Sequence, residues 1–341
     1  MGLDFYPCIT QDGSIGLFNI AVDDIYHSSN GAYSEAIQKF IEPSGFEDFI
    51  KQNKSAKILD ICYGMGYNTK AAIKTCLKIN PEASLLIDSL EYDPDVFTFS
   101  FLCDDKEFNF WVGEFLDEEV ISDAKILSSA YKILSNSKIT PFLQKISQRN
   151  SYNLSEEKIK AVLHNIYYEN ISERNIKIPQ KEPKTPHIKL IPTLKDARET
   201  VVNLRGTYDF IFLDAFTPQK LPTLWSVEFF KELFRLLSDN GNLTTYSNSA
   251  AIRNGMIEAG FFVGKTPGGT IAYKNYNLVK EPLDEKSKGL LKTKAGIPYY
   301  DPGLNSTKEE ILLKRSSMIK NSDLPGSSQF LKNYTKNKLE L

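Results

Sequence analysis

Three short apolar runs in this chain close on or near an acid: Lys57-Ile58-Leu59-Asp60-Ile61, Leu85-Leu86-Ile87-Asp88-Ser89-Leu90-Glu91 and Tyr208-Asp209-Phe210-Ile211-Phe212-Leu213-Asp214. The first leads into Cys62-Tyr63-Gly64-Met65-Gly66-Tyr67-Asn68. Glycines let a backbone reach positive φ and approach a ligand closely. Glu91 stands 25 residues beyond Gly66, at the end of the next run, where a carboxylate can accept hydrogen bonds from two ribose hydroxyls. The pair points to an adenosine-type cofactor. A pyrophosphate-binding loop wants a third glycine and a bare helix start. Here Tyr67-Asn68-Thr69 opens the helix, which favours S-adenosylmethionine, a cofactor without phosphate. A nicotinamide dehydrogenase is the competing reading. Asp214 opens a second candidate segment, Phe212-Leu213-Asp214-Ala215-Phe216-Thr217-Pro218-Gln219-Lys220-Leu221-Pro222-Thr223-Leu224-Trp225. Two prolines stiffen it, and its aromatic rings can hold a flat base. Phe216 and Trp225 can equally pack beneath the loop.

These residues need strand ends to hold them. Strand, glycine turn, helix (Asn68 to Leu77) and strand over about 35 residues is a βαβ unit, whose crossover implies a parallel sheet. Ligands of such sheets bind beyond the carboxyl ends of the strands. The pattern resumes with a strand at His187–Ile191, a helix opening at Asp196, and the strand Tyr208–Asp214, apolar enough for burial on both faces. A helix over Val227–Leu237, a strand over Asn242–Ser247, a helix ended by Gly260 and a terminal hairpin (Phe261–Gly264, Thr270–Tyr273) follow. Ser34 to Phe49 has apolar residues at helical spacing, and the tail after Leu283 reads as loop with a helix near Lys308–Ile319. The expected organisation is an N-terminal segment (1–55), a core (56–103 and 187–280), a mostly helical insertion (104–186) ending in Pro179, Pro183 and Pro186, and a basic C-terminal extension (281–341).

Composition sets the limits. The 341 residues, 41% hydrophobic with 21 Phe and 17 Tyr, suit a large globular domain and not a disordered chain. No apolar stretch is long enough to span a membrane, and no secretory signal opens the chain. Cys8, Cys62, Cys76 and Cys103 show no CxxC spacing and read as reduced thiols, so a cytoplasmic protein is expected. His27, His164 and His187 are scattered and form no ligand set, so no metal is expected.

The string Leu-Asp-Ala-Phe-Thr-Pro-x-Lys-x-Pro-x-x-Trp, with Thr244-Thr245-Tyr246-Ser247 and Arg253 before Gly260-Phe261, resembles the MnmC/MnmD family of tRNA wobble-uridine methyltransferases. Asp24-Ile25-Tyr26 with Glu35, Asp196-Ala197-Arg198, Gly269-Thr270-Ile271-Ala272 and Gly296-Ile297-Pro298-Tyr299-Tyr300-Asp301-Pro302 extend the likeness over about 250 of the 341 residues. The last two are similar to the branch made of a methyltransferase domain alone. The resemblance implies an α/β, class I (Rossmann-like) fold that uses S-adenosyl-L-methionine. It also implies methylation of the amine of 5-aminomethyl-(2-thio)uridine at the wobble position. The partner implied is tRNA through its anticodon region, with no membrane and no stable protein partner. No FAD-binding half is seen, so the substrate expected is the already formed aminomethyl uridine. Cys62 and Lys195 stand where the family has glycines, and the insertion exceeds what the core requires. A tRNA-binding protein impaired in catalysis, or a small-molecule N-methyltransferase, are the alternatives.

The roles implied are Asp214 as the catalytic group on the amine; Tyr26, Gly64, Gly66, Asn68, Glu91, Asp196 and Ala197 at the cofactor; and Glu35, Phe216, Pro218, Lys220, Trp225 and Arg253 toward the substrate. Asp196 can alternatively be a helix N-cap. The formal net charge of −2 hides an uneven distribution, since Lys265–Leu341 holds 14 Lys+Arg against 8 Asp+Glu. A tRNA needs a basic face, not a basic protein, so this tail is the candidate for phosphate contacts.

Overall fold

Apolar runs bounded by turns become the strands of one seven-stranded sheet in the order β6-β5-β4-β7-β8-β10-β9. The computed structural model describes residues 3–26, 31–103, 112–139, 141–142 and 187–339. The strands are β4 Ser55–Ile61, β5 Ser84–Glu91, β6 Ile188–Leu194, β7 Tyr208–Leu213, β8 Leu237–Thr245, β9 Phe262–Thr266 and β10 Gly269–Tyr273. β5 pairs with β6 in parallel, and β7 is parallel to both β4 and β8. β10 is antiparallel to β8 and to β9, so the expected hairpin forms and inserts its second strand next to β8. This is the expected α/β fold, a mostly parallel sheet whose strands are joined by helices. The chain divides into two compact units.

The first unit comprises Met1–Ile41, Phe46–Ala56 and Cys62–Lys195. It holds a three-stranded antiparallel sheet of β1 Phe5–Ile9, β2 Ile15–Asn19 and β3 Asp24–Ile25. Phe5, Leu17 and Ile15 face inward there. Its β1–β2 turn is pinned by Asp12, which accepts hydrogen bonds from Ser14, Thr10 and both the backbone and hydroxyl of Ser34. Burial pushes the Asp12 carboxyl up, but these bonds outweigh it and hold it well below the usual carboxylate range. Helix Tyr67–Ile79 follows the glycine turn, and Tyr67 receives the Ile15 N–H on its hydroxyl at 2.6 Å. Helix Pro94–Leu102 starts with Asp93 as N-cap and is buried from Val96 to Leu102. Within the segment 104–186, helix Ala124–Leu134 buries Ile126, Ala130 and Ile133 and leaves Tyr131 exposed. The rest of the insertion from 143 to 186, including its proline-rich return, lies outside the described residues, as does His27.

The second unit comprises Glu42–Gly45, Lys57–Ile61 and Asp196–Leu341. β7 is its spine: Tyr208, Phe210, Ile211, Phe212 and Leu213 are all buried, as a strand covered on both faces requires. Helix Val227–Leu236 lays Phe229, Phe230, Leu233 and Leu236 against the core, after a Ser226 cap. The tail after Leu283 is more helical than expected, with helices Glu285–Leu291, Lys308–Lys320 and Ser327–Leu339. The middle one begins with a capping box, Thr307 with Glu310.

Candidate active site

In the first unit, the turn after β4 is held in the left-handed region by three residues: Cys62 (φ 63°), Gly64 (φ 56°) and Gly66 (φ 74°). Gly66 has no alternative, because a Cβ there would stand 2.3 Å from the Tyr63 ring. The turn is tied to the end of β5 by Tyr63 N–H to Leu90 O (3.0 Å) and by Gly64 N–H to Glu91 Oε2 (2.8 Å). Glu91 Oε1 takes the N–H groups of Tyr92 (2.8 Å) and Asp93 (3.0 Å). A carboxylate offers about four acceptor positions. Oε2 therefore keeps capacity for a ligand hydroxyl. Burial raises the Glu91 pKa, opposed by the hydrogen bonds from Asp93 and Gly64. Tyr26 receives a hydrogen bond from Asn19 on its hydroxyl, and burial together with the neighbouring Glu91 charge keeps it protonated. Asn68 is buried at the start of the helix, not solvent-facing. Glu35 forms an ion pair with Lys39 on its own helical turn.

In the second unit, Asp214 follows the last residue of β7, half-buried, with its N–H on Ile61 O at 3.2 Å. The next residues form a braced loop. Trp225 is fully buried and donates its indole N–H to Phe216 O (2.8 Å), while Tyr246 donates its hydroxyl to Ala215 O (2.8 Å). The two rings meet edge-on, 6.1 Å apart. Trp225 thus holds the loop from beneath and offers no stacking face; Phe216, Pro218 and Lys220 remain half-exposed. Arg253 is likewise not an outward contact. It is 8% exposed, and its guanidinium binds Thr270 Oγ1 and Gly269 O, both at 2.9 Å. Asp196 is the N-cap of helix Ala197–Val201, accepting from Arg198 N–H (2.8 Å), with Ala197 buried behind it. Sequence reasoning missed Tyr246, Arg198 and Asp301 as parts of this architecture, although all three sit in the motifs that carried the resemblance. No group of three or more His, Cys, Asp or Glu among the described residues could hold a metal ion. No helix among them is long and apolar enough to cross a membrane.

Parallel strands in this order, with the antiparallel β10 beside β8, a glycine turn after β4 and an acid closing β5, fit the α/β Rossmann-like fold of class I methyltransferases. Residues 156–274 match the family Methyltransf_30, described as S-adenosyl-L-methionine-dependent methyltransferase. The chain is related to the methyltransferase part of MnmC. It is 36% identical over 107 residues to the tRNA 5-methylaminomethyl-2-thiouridine biosynthesis bifunctional protein MnmC of Pseudomonas paraeruginosa, covering 31% of this chain and 15% of that protein. It is 28% identical over 313 residues to the uncharacterized protein MJ0670 of Methanocaldococcus jannaschii, covering 90% of this chain and 70% of the relative. The crystal structure of MNMC2 from Aquifex aeolicus shares the fold, with a TM-score of 0.63 at 23% identity, over 93% of this chain and 86% of that one. The donor set fits the cofactor: beside a turn whose left-handed backbone allows close approach, Glu91 retains acceptor capacity for a ribose hydroxyl.

Proposed function

We propose that this protein methylates the amine of 5-aminomethyl-(2-thio)uridine at the wobble position of tRNA, giving the 5-methylaminomethyl product. The observation that carries the reading is the braced loop from Asp214 to Trp225, an acid at the end of the sheet's middle strand on a rim held by the Trp225–Phe216 bond. The relatives whose printed name concerns that tRNA modification support it. Gly64, Gly66 and Glu91 would hold the cofactor, which supplies a sulfonium-bound methyl, with Asp196 and Ala197 at its adenine and Tyr26 and Asn68 beside it.

Methyl transfer to nitrogen is an in-line displacement, so positioning is the main demand on the protein. The cofactor, held by Gly64, Gly66 and Glu91, would supply its methyl to the amine lone pair and depart as a neutral thioether. The attacking amine must be uncharged, although an alkylamine is mostly protonated near neutral pH. Asp214 binds the ammonium, orients it and helps remove its proton; the product nitrogen releases one proton for each amine taken up neutral. Phe216, Pro218 and Lys220 form the substrate side of the loop and Trp225 holds it from beneath; Arg253 acts further back, tying its helix to β10, and Glu35 is the candidate to close over the amine.

Cys62 bears on the alternative of an impaired enzyme. Its left-handed φ gives the turn the conformation a glycine would have, which supports a working cofactor loop. Labelled cofactor incubated with tRNA carrying aminomethyl uridine should yield labelled tRNA. No transfer to that tRNA, under conditions where the cofactor binds, would overturn the reading. An Asp214→Ala variant should bind cofactor normally and lose most turnover.

A further inference from the structure

Four acceptors converge on one guanidinium in the second unit. Arg198 clamps both oxygens of Asp196, with Nε at 3.2 Å from each and Nη2 at 2.8 Å from Oδ2. Its Nη1 reaches Asp301 Oδ2 and Ser306 O, both at 2.9 Å. Asp301 is fully buried, and its other oxygen accepts the N–H groups of Asn305 (3.1 Å) and Ser306 (3.0 Å). Its own N–H donates to Glu228 on helix Val227–Leu236, at 2.7 Å. Two residues earlier, Tyr299 O receives the Val227 N–H at 2.9 Å. The segment 299–306 is therefore stitched to the start of that helix, and Asp301 passes this anchorage to Arg198.

A buried acid with every oxygen engaged holds a guanidinium in one orientation, because the planar fork fixes where its remaining N–H groups point. Here those N–H groups grip Asp196, whose carboxylate is the more exposed member of the three. Asp196 also caps its helix, so its backbone and its side chain are both fixed.

We infer that Asp301, through Arg198, is a positioning residue for cofactor binding: the C-terminal segment sets the orientation of the Asp196 carboxylate. This rests on the reading of Asp196 as a cofactor contact. The relation makes the C-terminal segment a part of the cofactor site in energy, although Asp301 does not touch the cofactor.

A double-mutant cycle read by calorimetric titration of S-adenosylmethionine tests it, with Tm recorded for every variant. Asp301→Asn should weaken cofactor binding about tenfold, the scale of one charge-assisted hydrogen bond. In an Asp196→Ala background the same change should weaken binding less than about twofold, because the orientation it controls no longer matters. Equal weakening in both backgrounds would make Asp301 a purely structural residue and overturn the inference. If Asp196→Ala alone leaves affinity unchanged, the assignment of Asp196 fails first, and that result is distinct from a failure at Asp301. Arg198→Lys serves where Asp301→Asn does not fold. It keeps the charge, cannot grip Asp196 and Asp301 together, and should show the same dependence on Asp196.

Discussion

Replacing Cys62 with glycine should make the protein more stable, an unusual direction for a change beside a cofactor loop. Cys62 is a non-glycine residue at φ 63°. The left-handed region costs an L-residue roughly 1–2 kcal/mol. Glycine removes that cost but brings back roughly 0.5–1 kcal/mol of extra chain entropy in the unfolded state. The thiol is only half-buried, so little apolar burial is lost with it. The net expectation is a gain of about 0.5–1 kcal/mol for Cys62→Gly. Urea denaturation in reducing buffer should then show a midpoint raised by about 0.2–0.3 M, for a slope of about 3 kcal/mol/M. Cys62→Ala separates the backbone from the thiol: alanine keeps the left-handed cost and should leave the midpoint near the parent's. Cys62→Val adds β-branching at positive φ and should lower it. A glycine variant no more stable than the alanine variant would refute the strain argument.

Acid should weaken the N-terminal sheet through Asp12. Its folded-state pKa is depressed, so its contribution is complete above the unfolded value of about 4 and is lost as pH falls below that. Asp12→Asn should be less stable than the parent at pH 6, with the difference shrinking steadily as pH falls below about 4, by denaturation midpoint. Trp225→Phe removes the bond to Phe216 O and leaves that carbonyl without its donor. Turnover should fall several-fold while calorimetric cofactor affinity holds; a matching loss of both would place Trp225 in general stability. Reversing Lys308, Lys320 and Lys332, all exposed, to Glu should raise the Michaelis constant for tRNA and flatten its salt dependence by about one unit of slope per lost phosphate contact. A salt slope that stays as in the parent would remove this tail from the tRNA interface.

The core strands were legible because their signals are local. Tyr208–Leu213 is apolar except at Asp209 and bounded by turn residues, and the structure ends it one residue before Asp214. Gly66 and Gly260 marked a helix start and a helix end by conformations glycine tolerates. Helix Pro94–Leu102 was missed for the opposite reason: it is apolar all round, so no face repeats at helical spacing. Ser34 to Phe49, read as one helical pattern, is helical from Ala32 to Ser44 through a wider π-type stretch at Ile37–Ile41, and breaks only at Gly45, at φ 70°, before a new helix at Phe46. In the C-terminal tail, helix Lys308–Lys320 was found and helix Glu285–Leu291 was not, since the latter buries no residue fully. For the site, residue types gave the acids and the glycines. Only the structure could tell that Trp225 and Arg253 turn inward, because a ring or guanidinium in sequence does not say which side of a loop it serves.

The register of β4 against β7 sets a timetable for the making of this protein. The Lys57 N–H binds the Asp209 carboxylate, a partner 152 residues further along the chain. At roughly 5–20 residues per second, β4 leaves the ribosome about 8–30 s before the strand that pairs with it. Until then Ile58, Leu59 and Ile61, fully buried in the finished fold, have no β7 to cover them. A change that lengthens the 104–186 segment would stretch that interval, and its first symptom should be aggregation during synthesis, with the stability of the completed enzyme unaltered.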